Sequence, residues 1–294
     1  MTYTTIAVIY NPNSTGSSKE LAETFAAAVR KLLPKQKVEL IATEHAGHAE
    51  ELAYSLAKAS KHPLIVSSSG DGGYNEVING ALKAQREGAH PTTGLLPAGN
   101  ANDHFTNLNK HDLVELVAKD VTRNIDVLKF TYTKNGTQIE RYAHSYIGFG
   151  LTPFVGKELN KNKLNLINEV WIVARAILGV KSVKLTVGAK TRRYDSIVLS
   201  NIDKMSKYLK ISQPSGITDG KFEVTTFRKR NKISLIGMLL KASFIGLKED
   251  AKVSTYTVRT INKTILQADG EIVTIDAHTT VTITAEKQLL NCVI

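Results

Sequence analysis

The stretch PLIVSSSGDGGYNEVINGAL, residues 63–82, restricts the fold more than any other part of this chain. An apolar, β-rich run ends in three serines. It then passes three glycines around Asp71 and resumes as apolar residues at helical spacing. This reads as a strand, a loop over 69–73 and a helix near 74–86. Such a unit belongs to a parallel sheet, whose strands are joined by crossover helices. The neighbouring sequence repeats the alternation. TIAVIY (5–10) leads to LAETFAAAVRKLL, and KVELIAT (37–43) leads to HAEELAYSLAKAS (48–60), with Leu52, Leu56 and Ala59 expected on one face. TTGLLP leads through a second Gly/Asn loop to KHDLVELVAKD. Residues 1–125 are therefore expected to form an α/β domain with a parallel sheet covered on both faces.

The texture changes after NIDVLKF (124–130). A hairpin is expected with Asn135-Gly136 as its turn, followed by many short β-rich runs, among them SVKLTVGA, DSIVLSNI, KFEVTTF and EIVTIDA. Two helices interrupt them. One covers 161–178, with Leu164, Ile167, Val170, Trp171, Ala174 and Leu178 in a stripe; the other is ISLIGMLLKASFIGL (233–247). Residues 126–284 are expected to form a mainly antiparallel β-sandwich domain, with 285–294 returning to the first domain.

Lys and Arg number 38 against 27 Asp and Glu, giving a net charge of +11 that favours anionic partners. No basic–aromatic stripe accompanies it, so no nucleic-acid partner is expected. The single cysteine, Cys292, excludes an intramolecular disulfide and fits a reducing compartment, hence a cytoplasmic protein. The N-terminus has no basic segment before its short apolar run, so no signal peptide is expected. No stretch reaches the ~20 apolar residues of a spanning helix, so membrane contact would be peripheral. A basic run, FRKRNK (227–232), reads either as a solvated loop or as a contact for anionic headgroups. His45 and His48 have no third ligand nearby in sequence, which argues against zinc.

The loop at 69–73 lies where parallel sheets bind ligands, outside the carboxyl ends of the strands. Glycines admit a ligand to the backbone, and the next helix offers free N–H groups to an anion. A carboxylate repels bare phosphate, so Asp71 either caps the helix or organises a cation or hydroxyl beside the phosphates. Asp269 and Glu271, in ADGE, read either as an Asp-Gly turn or as two carboxylates sharing one strand face, fit for base chemistry.

Taken together, GDG with NEVING (70–80), IYNPNSTG (9–16), LLPAGNANDHF (95–105), IDVLKF (125–130), SGITDGKFEV (215–224) and ADGE (268–271) resemble the ordered motifs of the diacylglycerol kinase catalytic-domain family. That family includes sphingosine and ceramide kinases and bacterial lipid kinases. Ser69 stands where the family motif has glycine, and Gly73 and Asn100 stand where it has threonine. The resemblance implies an NAD kinase/diacylglycerol kinase-like fold and an ATP-dependent lipid kinase. Its substrate would be a lipid at the membrane surface, and a homodimer is allowed. It implies nucleotide contacts from Asn11, Thr43, Ser69, Gly70, Asp71, Gly72, Gly73, Tyr74, Asn75, Gly99, Asn100 and Asp103. Asp71 and Asp103 would surround catalytic Mg²⁺, and Glu76 would fix the loop. Asp269 and Glu271 would supply the base. A second, structural Mg²⁺ would be held at Gly216, Asp219 and Lys221. An NAD kinase-like enzyme and a catalytically silent nucleotide- or lipid-binding regulator are the alternatives.

Overall fold

A computed structural model describes residues 3–14, 16–108, 111–153, 179, 181–205, 209–212, 216–229 and 231–294. The helix expected over 161–178 lies outside them. The chain divides into two compact units: Met1–Ile125 with Gln288–Ile294, and Asp126–Lys287.

The first unit runs β1 (Thr5–Tyr10), α1 (Ser18–Leu32), β2 (Val38–Ala42), α2 (His48–Ala59), β3 (Pro63–Ser69), α3 (Asp71–Arg86), β4 (Thr92–Pro97), α4 (Asp103–Leu108) and α5 (Leu113–Ala118). The strands are parallel in the order β2-β1-β3-β4, with Ile6 opposite Val38, Leu64 beside Ile6, and Thr92 opposite Leu64. All seven residues of β3 are buried, as a central strand covered on both faces requires. Ile6, Val8, Phe25, Val29, Leu64, Val66 and Leu116 share one core on the α1/α5 side. At the edge of β4, Cys292 pairs in parallel register with Thr93. The Val293 N–H donates to the Thr93 carbonyl at 2.9 Å, and the Gln85 amide donates to the Leu289 carbonyl at 3.1 Å. The Cys292 thiol is fully buried, and that burial pushes its pKa up to about 12, so it packs as a small apolar residue.

Two local expectations change. Helix α3 starts at Asp71 rather than near 74, so Asp71, Gly72 and Gly73 form its first turn. The first turn makes no backward hydrogen bonds of its own, which leaves glycine tolerable there. Helix α2 buries Ala49, Ala53 and Ala57, whereas Leu52 and Leu56 are only half-buried and Ala59 is exposed. The cause is close approach: a Cβ on Gly80 of α3 would lie 2.2 Å from the Glu50 carbonyl oxygen and 3.0 Å from the Ala53 Cβ. Small residues on both helices permit that distance, and leucines would not fit between them.

The chain continues with β5 (Arg123–Lys134), β6 (Thr137–Ala143), β7 (Tyr146–Gly150), β8 (Val183–Val187), β9 (Lys190–Ser200), β10 (Lys204–Met205), β11 (Leu209–Lys210), β12 (Phe222–Arg228), α6 (Lys232–Phe244), β13 (Ala251–Val253), β14 (Thr255–Thr260), β15 (Thr264–Ala268), β16 (Glu271–Ile275) and β17 (Thr280–Cys292); these make up the second unit, except that the first residues of β5 and the last of β17 belong to the first. The strand pairs described within the second unit are antiparallel. Leu128, Phe130, Phe149, Ile197, Leu199, Phe222, Val258 and Ile283 form its main core. The β5–β6 hairpin turns at Asn135 and Gly136 (φ +51° and +77°), as NG predicts.

Gly80→Ala is expected to lower stability by about 1–3 kcal/mol, because the added methyl must push α2 from α3. Urea unfolding followed by circular dichroism checks this.

Candidate active site

The ends of β1, β3 and β4 converge. Asn11 follows β1; its N–H donates to the Ser18 hydroxyl at 3.1 Å and lies 3.4 Å from the Ser68 carbonyl, while its side-chain oxygen accepts the Asn13 N–H at 2.9 Å. The Ser18 hydroxyl donates to the Ser68 carbonyl, joining α1 to β3. The Ser14 hydroxyl (2.5 Å) and Gly16 N–H (3.1 Å) both reach the Ala98 carbonyl after β4. Thr43, half-buried at the end of β2, donates its N–H to the Tyr10 carbonyl at 2.9 Å. The motif at 9–16 pointed to this loop, but nothing in the sequence marked Ser14 or Ser18 as its fasteners.

At the centre, two backbones touch. A Cβ on Gly99 would sit 2.4 Å from the Gly70 Cα, and one on Gly70 would sit 3.0 Å from the Gly99 Cα. Asp71 fastens this contact. Its two carboxylate oxygens accept the N–H groups of Asp103 and His104, both at 3.0 Å, at the start of α4. Asn102 pinches its own loop, accepting the Gly99 N–H at 2.9 Å and donating to the Gly99 carbonyl at 2.8 Å. Glu76 accepts the N–H groups of Gly47 (2.9 Å) and Ala49 (3.2 Å), so α3 holds the first turn of α2. Asn100 and Gly99 are half-buried on this loop, as are Gly72 and Gly73 on the first turn of α3.

Other motif residues face inward. Tyr74 is 1% exposed, and its hydroxyl lies 3.1 Å from the Thr93 hydroxyl. Burial raises its pKa well above the ordinary tyrosine value. Asn75 is equally buried and accepts the Asn79 amide with its backbone oxygen (2.9 Å) and side-chain oxygen (3.1 Å). Asp103 is 3% exposed. The side chains of Tyr74 and Asn75 therefore shape α3 from within.

Ser69 and Gly73 depend on each other. A Cβ at Gly73 would lie 2.5 Å from the Ser69 Oγ and 2.7 Å from its Cβ. The Ser69 hydroxyl already pairs with Ser67 Oγ at 2.7 Å and the Gly70 carbonyl at 3.0 Å. The departures at 69 and 73 are thus one exchange: a side chain at 69 excludes one at 73.

In the second unit, Asp269 and Gly270 form the two-residue turn between β15 and β16, with φ +48° and +97° and Ala268 opposite Glu271. Of the two readings of ADGE, the Asp-Gly turn is the one found, and Asp269 and Glu271 do not share a strand face. Asp269 is wholly buried. Its carboxylate accepts the N–H groups of His144 (2.5 Å), Ser145 (3.0 Å) and Tyr146 (2.8 Å), and the His144 ring lies 3.4 Å away. Glu271 is half-buried at the start of β16. Gly216, Asp219 and Lys221 share one loop, whose Gly220 N–H donates to Asp126 at 2.6 Å. The expected divalent cation does not fit that loop, because an ammonium, Lys252 Nζ, stands 2.8 Å from the Asp219 Oδ2. Asp219 and Glu223 together hold the Lys252 pKa above its ordinary value, with the Asp219 hydrogen bond first. Nothing in EDAKV marked Lys252 in the sequence. Among the described residues, no three His, Cys, Asp or Glu side chains are grouped to hold a metal.

A parallel α/β unit with a glycine loop at its strand ends, followed by an antiparallel β unit, defines the diacylglycerol kinase-like fold. A crystal structure of a diacylglycerol kinase from Bacillus anthracis str. Sterne shares it, with a TM-score of 0.67 at 15% identity over 100% of this chain and 97% of that one. Residues 5–130 match the family model of the diacylglycerol kinase catalytic domain. Diacylglycerol kinase of Bacillus subtilis (strain 168) is 31% identical over 131 residues, 41% of this chain and 40% of that relative. Sphingoid long-chain bases kinase 1 of Arabidopsis thaliana is 37% identical over 98 residues, 32% of this chain and 13% of that relative. The matches thus span less than half the length of these curated relatives.

Gly73→Thr is expected to destabilise this chain by about 1–3 kcal/mol, and adding Ser69→Gly should restore most of the loss. A double-mutant cycle in urea measures the coupling. Asp269→Asn should cost about 3 kcal/mol by replacing a charged acceptor of three N–H groups, and thermal unfolding reads it.

Proposed function

We propose that this chain is an ATP-dependent lipid kinase that moves the γ-phosphoryl of ATP to a lipid hydroxyl, such as that of diacylglycerol, at a membrane surface. One observation carries the reading. Within the family-matched segment, the glycine-rich first turn of α3 lies among the strand-end loops, where Gly70 and Gly99 let the backbones after β3 and β4 touch. The amino end of a sixteen-residue helix carries partial positive charge and backbone N–H groups suited to phosphate oxygens. On this reading the first turn of α3, with Gly99 and Asn100, holds the phosphates. Asn11 and Thr43 stand on the neighbouring loops.

Phosphoryl transfer needs positioning and charge neutralisation more than covalent help from the protein. Mg²⁺ bound to the nucleotide would supply that neutralisation. Asp71 is a hard oxygen donor suited to it, yet both its oxygens accept backbone N–H groups, and Asp103 is nearly buried. This favours an ion held largely by phosphate oxygens, with Asp71 fixing the loop around it.

The base role falls to Glu271 rather than Asp269. Asp269 is enclosed and accepts three backbone N–H groups, so it sets the turn, and the half-buried Glu271 carboxylate takes the proton from the lipid hydroxyl. Among the described residues no helix is long and apolar enough to cross a membrane. Contact with lipid would come from surfaces such as α6 and its flanks. Ile233 and Ile245 are 83% and 76% exposed there, near exposed Arg228, Lys229 and Lys241.

Radiolabelled ATP incubated with vesicles containing diacylglycerol or a sphingoid base, and separately with NAD⁺, tests the reading. Labelled lipid is expected. Glu271→Gln should lower kcat by roughly 10²–10⁴-fold while leaving Tm unchanged. Label on NAD⁺ alone, or nucleotide binding with no transfer to any acceptor, would overturn it.

A further inference from the structure

The loop from Gly216 to Lys221 is closed by charges that the family resemblance does not supply. Asp219 Oδ1 accepts the Lys221 N–H at 3.0 Å. Asp219 Oδ2 faces Gly216 so closely that a Cβ there would lie 2.7 Å away. The same oxygen meets Lys252 Nζ at 2.8 Å, and that ammonium also reaches Glu223 Oε1 at 3.0 Å. The Glu223 side chain is 3% exposed, and its second oxygen is buried with no hydrogen-bond partner among the described residues. Glu223 and Lys252 are opposite one another on β12 and β13, so strand register holds the ammonium in place.

A divalent ion seeks oxygens around the Asp219 carboxylate. Here the Lys252 ammonium already lies 2.8 Å from the oxygen turned towards Gly216, and a second cation beside it would be repelled. Two carboxylates and one ammonium instead balance to a single residual negative charge. A buried carboxylate such as Glu223 requires a compensating charge nearby, and Lys252 is the group in contact with it.

We propose that the Lys252 ammonium is the resident cation of this loop, so that the second unit is held together without a structural divalent metal. The inference goes beyond the kinase reading and does not depend on the phosphoryl acceptor. Asp219 and Glu223 are the acids that the ammonium bridges, and Asp126 secures the loop from its other side through the Gly220 N–H. Removing the ammonium leaves two neighbouring carboxylates, an arrangement that a divalent ion can occupy.

Thermal unfolding of the full chain without nucleotide, in EDTA and in millimolar Mg²⁺, tests this. The wild-type Tm should be the same in both. Lys252→Met should lower the Tm by roughly 5 °C or more in EDTA, with partial recovery in Mg²⁺, and Lys252→Arg should stay near wild type. Should Lys252→Met fail to fold, Mn²⁺ titration of the wild type by electron paramagnetic resonance decides the matter, and no site sensitive to Asp219→Asn should be found. A wild-type Tm that falls in EDTA, or a Mn²⁺ site abolished by Asp219→Asn, would overturn the proposal.

Discussion

The bond on which the first unit turns is that of one carboxylate with two amides. Asp71 leaves the first turn of α3 and accepts the first N–H groups of α4, so the loops after β3 and β4 are fixed to each other. The contact of Gly70 with Gly99 is possible only because neither has a side chain; the end of the β3–β4 ladder, where the Ala98 N–H donates to the Ser69 carbonyl at 3.0 Å, brings them together, and the Asp71 clasp adds to it. An anion approaching the start of α3 therefore meets a surface whose amides are already aimed. Organisation before binding avoids a later ordering cost.

The acids of this chain divide by environment rather than by motif. Asp269 is sealed among amides and shapes a turn, Asp71 clasps two loops, and Glu76 holds a neighbouring helix start. Three of the most conspicuous carboxylates thus serve as acceptors for backbone N–H groups that would otherwise be left unpaired. Glu271, by contrast with Asp269, is only half-buried at the start of β16. The same logic applies to Ser69: its hydroxyl fills the space beside Gly73 and bonds inward.

Much of this was readable in the residues. Alternating apolar runs announced the parallel sheet, and Asn135-Gly136 announced its hairpin, because both signals are local and backbone-driven. The family motifs led to the loops at 11, 70 and 99. What escaped was set by contacts distant in sequence. Alanines rather than leucines face inward on α2 because Gly80, some thirty residues on, draws the helices together. For Asp269 and Glu271 the residues allowed both a turn and a shared strand face, and positive φ at Asp269 and Gly270 decides for the turn. Lys252 carried no signal, since its importance arises only from lying across the ladder from Glu223.

The edge of the first unit's sheet has a temporal consequence. Thr93 receives its parallel neighbour from Cys292, nearly two hundred residues later, after the whole second unit. During synthesis from the amino end, β4 must wait with that flank unpaired until the intervening β-rich chain has emerged. So wide a separation between neighbouring strands slows closure and leaves a hydrogen-bonding edge open to strangers in the interval. A nascent chain stalled midway would be a candidate for chaperone capture at β4, whatever the finished protein does.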